Sequence, residues 1–241
     1  MHLRMEFQSL RQIVLPVQYN HILQGFIYKT IDEKLADFLH EKGYGKKRVF
    51  KMFCFSRLIG KYDNRSKPNH IIFPDNVFLE ISSPMDDFCE SFADGLLKKR
   101  LNIAENELDV VGITIEHQRV RSGSTILEAL SPIVVYSTLT KGDGCKYTCY
   151  FQPGEKEFEK IAVENLKKKY EALSGMYVTE DVHIHCVCQP RISILEYKGT
   201  VINELILNAI IKKAVFQFLI GNLQTRLICL TSMLSFRFNS L

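Results

Sequence analysis

A tyrosine, a histidine and a lysine stand beside the densest positive charge of the chain, within YNHILQGFIYKTIDEKLADFLHEKGYGKKRVFKMFCFS at residues 19–56. From Lys42 to Lys67 there are nine Lys or Arg and one acid, Asp63, a local balance of +8 in a chain whose formal total is +4. The remainder is therefore net acidic. Charge concentrated in this way is the electrostatic footprint of a polyanion site. A histidine next to it exchanges protons near neutral pH. Together these residue types point to phosphodiester chemistry on a nucleic acid.

Such side chains act only if secondary structure brings them together. Apolar residues at Leu23, Phe26, Ile27 and Ile31, then Leu35, Phe38 and Leu39, follow a helical period. On one continuous helix Tyr28 and His40 would lie about 120° apart, so a break is needed to join them. Thr30 and Asp32 are both suitable N-caps for a second helix, and the expectation is two short helices with a bend between. A strand, KMFCFS, is expected to start at Lys51.

Further on, strands are expected over Ile71–Pro74 and Val77–Ser82. Ser83-Pro84-Met85-Asp86 reads as a helix start with Ser83 as cap and proline at the first helical position. That helix would present Phe88, Phe92, Leu96 and Leu97 on its apolar face and end in Lys98-Lys99-Arg100, favourable for the dipole. Strand patterns follow at Leu108–Glu116, Leu130–Tyr136 and Cys145–Phe151. A helix is expected from Glu155 to Tyr170 and a long alternating strand from Asp181 to Tyr197. Strands and helices interleave in each half, which predicts an α+β fold. A polar turn, Arg121-Ser122-Gly123-Ser124, places the domain boundary, giving domains 1–123 and 124–241.

Composition is that of a globular protein, with 46% hydrophobic and 24% charged residues. Seven cysteines without a secretory leader indicate a reduced, cytoplasmic compartment. No stretch has the roughly 18 apolar residues of a membrane span.

Several stretches carry a family likeness: YNHILQGFIYKTI, FLHEKG, FKMFCFSRL, LEISSP, LSPIVV at Leu130–Val135, and FEKIAVENLKKKY. In this order, over roughly residues 5–200, the chain resembles a CRISPR-associated, repeat-RNA-processing endoribonuclease of the RAMP superfamily. The resemblance implies tandem ferredoxin-like (RRM-like) domains, the second incomplete or altered after about residue 200. It implies cleavage of CRISPR repeat RNA without metal or other cofactor, leaving a 2′,3′-cyclic phosphate and a 5′-hydroxyl. The family's catalytic tyrosine, histidine and lysine fall on Tyr28, His40 and Lys51. Precursor crRNA is the implied partner, held by Lys42, Lys46, Lys47, Arg48 and Arg57. An interference complex is a further partner, and the oligomeric state is left as monomer or homodimer. In RNA the neighbouring 2′-hydroxyl is the nucleophile. The chemistry then needs a proton acceptor, a proton donor for the departing 5′-oxygen, and a cation beside the phosphorus.

The likeness fades after Tyr197-Lys198-Gly199-Thr200. The family's glycine-rich loop is not evident in the tail, whose last forty-one residues hold five charged residues and one glycine, Gly221. A shifted frame or truncation beyond about Thr200 is the expectation, with the second sheet deprived of partner strands. A non-catalytic or decayed repeat-RNA-binding protein is the alternative reading. A zinc-stabilised interaction module is the third, resting on His183-Ile184-His185-Cys186-Val187-Cys188 with Cys145 and Cys149. On a strand, however, His183 and His185 face away from Cys186 and Cys188, so no zinc site is assigned.

Overall fold

The computed structural model describes residues 1–46, 48–116, 124–129, 135–179, 181–186, 192–193, 210–211, 215–220 and 236–238; for 124–129 and positions beyond 186 it describes the backbone alone. The chain divides into two units, Met1–Gln118 and Arg119–Leu241.

The first unit is built on β1 (His2–Gln8), whose alternating residues Leu3, Met5 and Phe7 are wholly buried. A strand buried on one side needs partners on both edges and helices on one face. After β2 (Ile13–Pro16) come α1 (Asn20–Thr30) and α2 (Glu33–Glu41). Then follow β3 (Cys54–Phe55), β4 (His70–Phe73), β5 (Val77–Ser82), α3 (Asp86–Lys98), β6 (Leu101–Ile103) and β7 (Asn106–Glu116). The sheet order is β3-β5-β1-β7-β6, with β1 antiparallel to both β5 and β7. Without the small edge strand β6, this is a βαββαβ split arrangement, the ferredoxin-like plan. β2 and β4 form a separate antiparallel pair. Phe26 and Phe92 meet edge-on at 6.1 Å, and Phe7 meets Phe26 at 6.0 Å, so α1, α3 and β1 share one aromatic core.

The bend between the first two helices is where the period placed it, and Asp32 is the cap. Three other expectations are corrected. Helix α3 begins at Asp86, not at the proline, because the Ser83 hydroxyl accepts from the Met85 amide at 3.0 Å and donates to Met52 O at 2.8 Å. Leu97 is 73% exposed, and Cys89 takes the core position instead. The strand expected from Lys51 is confined to Cys54–Phe55, because Met52 adopts a left-handed backbone with φ 55°.

The second unit contains β8 (Ser124–Ala129), β9 (Val135–Thr140), β10 (Lys146–Phe151), α4 (Lys156–Ser174) and β11 (Val182–Cys186). Short β12 (Ile192–Ser193), β13 (Ile210–Ile211), β14 (Val215–Ile220) and β15 (Phe236–Phe238) follow. Helix α4 buries Phe158, Leu166 and Tyr170 and closes on Gly175, which takes the left-handed φ of 72° usual after a helix. The long strand expected over 181–197 is described only as β11 and β12, and residues 130–134 of the LSPIVV stretch lie outside the described residues. β14 lies between β11 and β8 in an antiparallel sheet of order β11-β14-β8-β15. The tail therefore supplies partner strands to this sheet, contrary to the expectation of a sheet left without them. β13 pairs with β12 instead, and the remaining positions of 201–241 lie outside the described residues. Among the described residues no helix is long and apolar enough to cross a membrane.

Candidate active site

Tyr28 lies near the end of α1, and His40 in the last turn of α2. Two devices fold one helix back on the other. The Asp32 carboxylate accepts from the Leu35 amide at 3.2 Å, while the Asp32 amide donates to Ser91 Oγ at 2.8 Å. A cap of this kind is worth about 1 kcal/mol. Lys99, from the end of α3, donates to Lys29 O and Ile31 O at 2.8 Å each, satisfying carbonyls that α1 leaves open. The result brings the Tyr28 and His40 rings to 6.4 Å, edge to face. Half-buried Tyr28 also leans edge-on against Phe53 at 5.8 Å, and Phe53 stacks on Phe88 at 4.6 Å. Burial raises the Tyr28 phenol above its ordinary value, which already leaves the hydroxyl protonated at neutral pH. The His40 side chain is exposed.

The end of α2 leads directly into the basic loop. The amides of Lys42 and Gly43 both donate to Phe38 O, at 2.9 and 2.7 Å. Gly43 has φ 63°, and a Cβ there would stand 2.7 Å from Val49 Cγ1 and 2.8 Å from Phe50 O. Only glycine fits both the conformation and the space. Tyr44 and Phe50 then exchange two backbone hydrogen bonds of 2.8 Å, closing residues 45–49 into a small loop. Lys42, Lys46 and Arg48 are exposed, and the Arg48 guanidinium lies 5.4 Å from the Phe50 ring. Among the described residues, Lys42, Lys46, Arg48 and Lys51 form no salt bridge. Asp63, the one acid of this region, turns its carboxylate onto its own loop, accepting from the Arg65 amide at 2.7 Å and from the Ser66 hydroxyl. Among the described residues, the charge of these four cations is thus left uncompensated by ion pairing.

Lys51 returns the chain to α2. Its ammonium donates to Leu39 O and, at 3.0 Å, to His40 O. An ammonium carries three donors, so one remains beyond these two. The left-handed, buried Met52 next to it swings the main chain between Lys51 and Phe53.

Tyr28 thus meets His40 ring to ring, Lys51 is tied to the main chain at the end of the helix that carries His40, and Lys42, Lys46 and Arg48 follow along the chain from that end. Lys47 lies outside the described residues. Arg57 is placed elsewhere: its guanidinium donates to Val17 O at 2.7 Å and lies 4.5 Å from the Tyr19 ring. Tyr19 is the N-cap of α1, and Tyr28 is nine residues further along, about 13 Å at the helical rise. Sequence reasoning missed Lys99, Met52, Ser83 and Phe53, which position the site. Their local patterns read as a helix cap, a helix end and a strand, and none of these shows the distant groups they meet in the fold.

In the second unit, His183 and His185 are exposed on one face of β11, while Val182 and Ile184 are buried on the other. Cys186 shares the second face by its place in the strand, as the alternation requires. Cys188 lies outside the described residues. A carboxylate from α4, Glu159, reaches both histidines.

Residues 14–114 match the profile of CRISPR-associated protein Cas6, N-terminal, and residues 115–223 that of CRISPR associated protein Cas6, C-terminal. The second match runs past Thr200, where the likeness of the sequence was placed to fade. CRISPR-associated endoribonuclease Cas6 1 of Methanocaldococcus jannaschii is 30% identical over 173 residues, 71% of this chain. The match spans 66% of that relative's length. A solved CRISPR associated protein Cas6 superposes with TM-score 0.68 at 24% identity, covering 98% of this chain and 93% of its own. A Cas6-related protein from Pyrococcus furiosus gives 0.70 at 20% identity, covering 98% and 91%. A RAMP protein that binds different RNA substrates gives 0.68 at 20% identity, covering 92% and 89%. These likenesses establish tandem ferredoxin-like domains.

Proposed function

The chain belongs to the Cas6 family, and from that premise we propose that it is an endoribonuclease that matures CRISPR transcripts by cutting their repeat RNA. The observation that carries this reading is the meeting of Tyr28 with His40 across a helix bend, with Lys51 fixed to the same helix end. The ribose 2′-hydroxyl attacks the adjacent phosphorus, the P–O5′ bond breaks, and the products carry a 2′,3′-cyclic phosphate and a 5′-hydroxyl. No water needs activating, so the reaction needs proton transfer and charge stabilisation and no metal. His40 is the proton-transfer group. Its exposure allows an RNA strand to reach the imidazole, and proton transfer of this kind is worth about 10²–10⁴-fold in rate.

Tyr28 keeps its hydroxyl proton and donates to a phosphate oxygen or the attacking hydroxyl. The third donor of Lys51 addresses the charge that builds on phosphorus. Lys42, Lys46 and Arg48 line up the strand through phosphate contacts, which position a substrate without reading its sequence. We assign the chemistry to residues 1–123 and a share of RNA holding to 124–241, with precursor crRNA as the partner. Retention of the product in an interference complex belongs to the same proposal.

A second reading, a protein that holds repeat RNA without cutting it, is favoured by the tail, where a single glycine stands in the last forty-one residues. One experiment separates the two. Labelled repeat RNA is incubated with the protein in EDTA, and the ends of the products are determined. Cyclic-phosphate ends that fall by about 10²–10⁴-fold in His40→Ala, with RNA affinity retained, are the expected result. A shifted band without cleavage would leave only the second reading.

A further inference from the structure

We infer that the second unit holds a divalent transition-metal site of the zinc type, made by Glu159 of α4 with His183 and His185 of β11. This inference stands apart from the RNA-cutting reading and uses none of its residues. The two histidines sit two apart on a strand, so both rings leave the same face. Their planes are nearly parallel, 9° apart, with centroids 5.9 Å from each other. The Glu159 carboxylate spans them: Oε1 lies 3.2 Å from His183 Nδ1, and Oε2 lies 3.7 Å from His185 Nδ1. One ligand atom from each of the three residues falls within 4.8 Å of the others.

Two features favour a site over a chance meeting of side chains. Glu159 Oε1 also accepts from the Ile184 amide at 3.3 Å, so the carboxylate is anchored to the strand between the histidines. Anchoring of a ligand by an outer hydrogen bond is how metal sites hold their geometry. The residues are also open to an arriving ion: the side chains of His183 and His185 are 53% and 51% exposed, that of Glu159 30%. Both imidazoles are exposed, so their rings have room to turn toward a shared ion.

Two imidazoles and one carboxylate suit zinc and its neighbours. They do not suit calcium or magnesium, which take oxygen ligands and prefer them in larger number. Water completes the coordination. The ion replaces the histidine–carboxylate contacts and ties α4 to β11, an edge strand of its sheet. Its consequence is a staple between helix and sheet, felt as ligand-linked stability.

The sequence motif HIHCVC pointed to these histidines, but the obvious extra donors were cysteines on the opposite face. The third donor comes from a helix twenty-four residues earlier, where the sequence gives no cue.

The test uses the full chain stripped with EDTA and then dialysed free of it. Zinc is titrated against a chromophoric chelator, and cobalt is added separately to read the ligand field. The expected result is one saturable zinc, a cobalt spectrum without the near-ultraviolet thiolate band, and a melting temperature that rises with zinc concentration. His183→Ala, His185→Asn and Glu159→Gln should each weaken binding by roughly tenfold or more, the scale on which even supporting ligands act. Cys145→Ser and Cys149→Ser should leave it unchanged. Far-ultraviolet circular dichroism confirms folding, and three variants on two elements guard against the loss of one. Absence of saturable binding, affinity unaltered in all three variants, or a thiolate-dominated cobalt spectrum would each overturn the inference.

Discussion

At the scale of single residues, the environment of a group sets the form in which it acts. Tyr28 is a neutral phenol whose burial pushes it further from ionisation, so in the proposed reaction its part is to donate a hydrogen bond and not to serve as an anion. Tyr28→Phe should therefore slow RNA cutting by roughly 10- to 100-fold, the worth of one hydrogen bond to a charged oxygen. Melting should be nearly unchanged, since the ring still packs against Phe53; single-turnover cleavage and a thermal melt on the same sample read the two effects. Cys89 makes a pH-dependent contribution. Burial foremost raises its thiol from 9.0 to about 11. The folded state thus binds this proton more tightly than the unfolded chain does. That part of the stability is complete below pH 9 and fades as pH climbs through about 11, a loss of roughly 2–3 kcal/mol. Urea midpoints between pH 8.5 and 11 should fall less steeply for Cys89→Ala than for the parent. The region of the candidate site was legible from its concentrated positive charge, while Tyr28, His40 and Lys51 themselves were picked out through the family resemblance. Whether the Lys51 ammonium faced solvent or a helix end was not legible, since the sequence shows the charge but not the carbonyls that attract it.

At the scale of elements, the site depends on how closely α1 lies to α3. A Cβ on Gly95 would stand 1.9 Å from Thr30 O, so only a bare glycine permits the crossing. Gly95→Ala should cost about 1–3 kcal/mol or more, because either α1 shifts or the backbone of α3 does. A lowered urea midpoint with an unchanged slope would be the reading, and an unaltered midpoint would refute the close approach. The bend between α1 and α2 was legible from periodicity and from Asp32, because both signals are local. The short β3 was not. KMFCFS has strand composition, but the left-handed Met52 interrupts it, and that conformation is held by the distant Ser83 hydroxyl. The cap of α3 was misread for a related reason. Ser83 has the right chemistry for an N-cap, yet its hydroxyl is engaged across the fold. Gly95 itself gave no sign, since a glycine within a helix pattern reads only as a weak position.

At the scale of the whole molecule, charge is distributed unevenly, and RNA affinity should inherit the imbalance. A Lys42→Ala, Lys46→Ala, Arg48→Ala variant should bind repeat RNA more weakly and flatten the plot of log affinity against log salt by about 2, as three lost phosphate contacts on single-stranded RNA require. Equal slopes by fluorescence anisotropy would remove the loop from the interface. The division into two α+β halves was legible because strands and helices alternate twice along the chain. The contribution of the tail to the second sheet was not, because its apolar composition is shared by strands and helices alike. The basic loop itself has one more implication. Tyr44 and Phe50 fasten its two ends to each other, so the five positions between them form a closed cassette. Under the proposed function, exchanging Lys46 and Arg48 within it should change how firmly a strand is gripped through its phosphates, not which transcript is chosen.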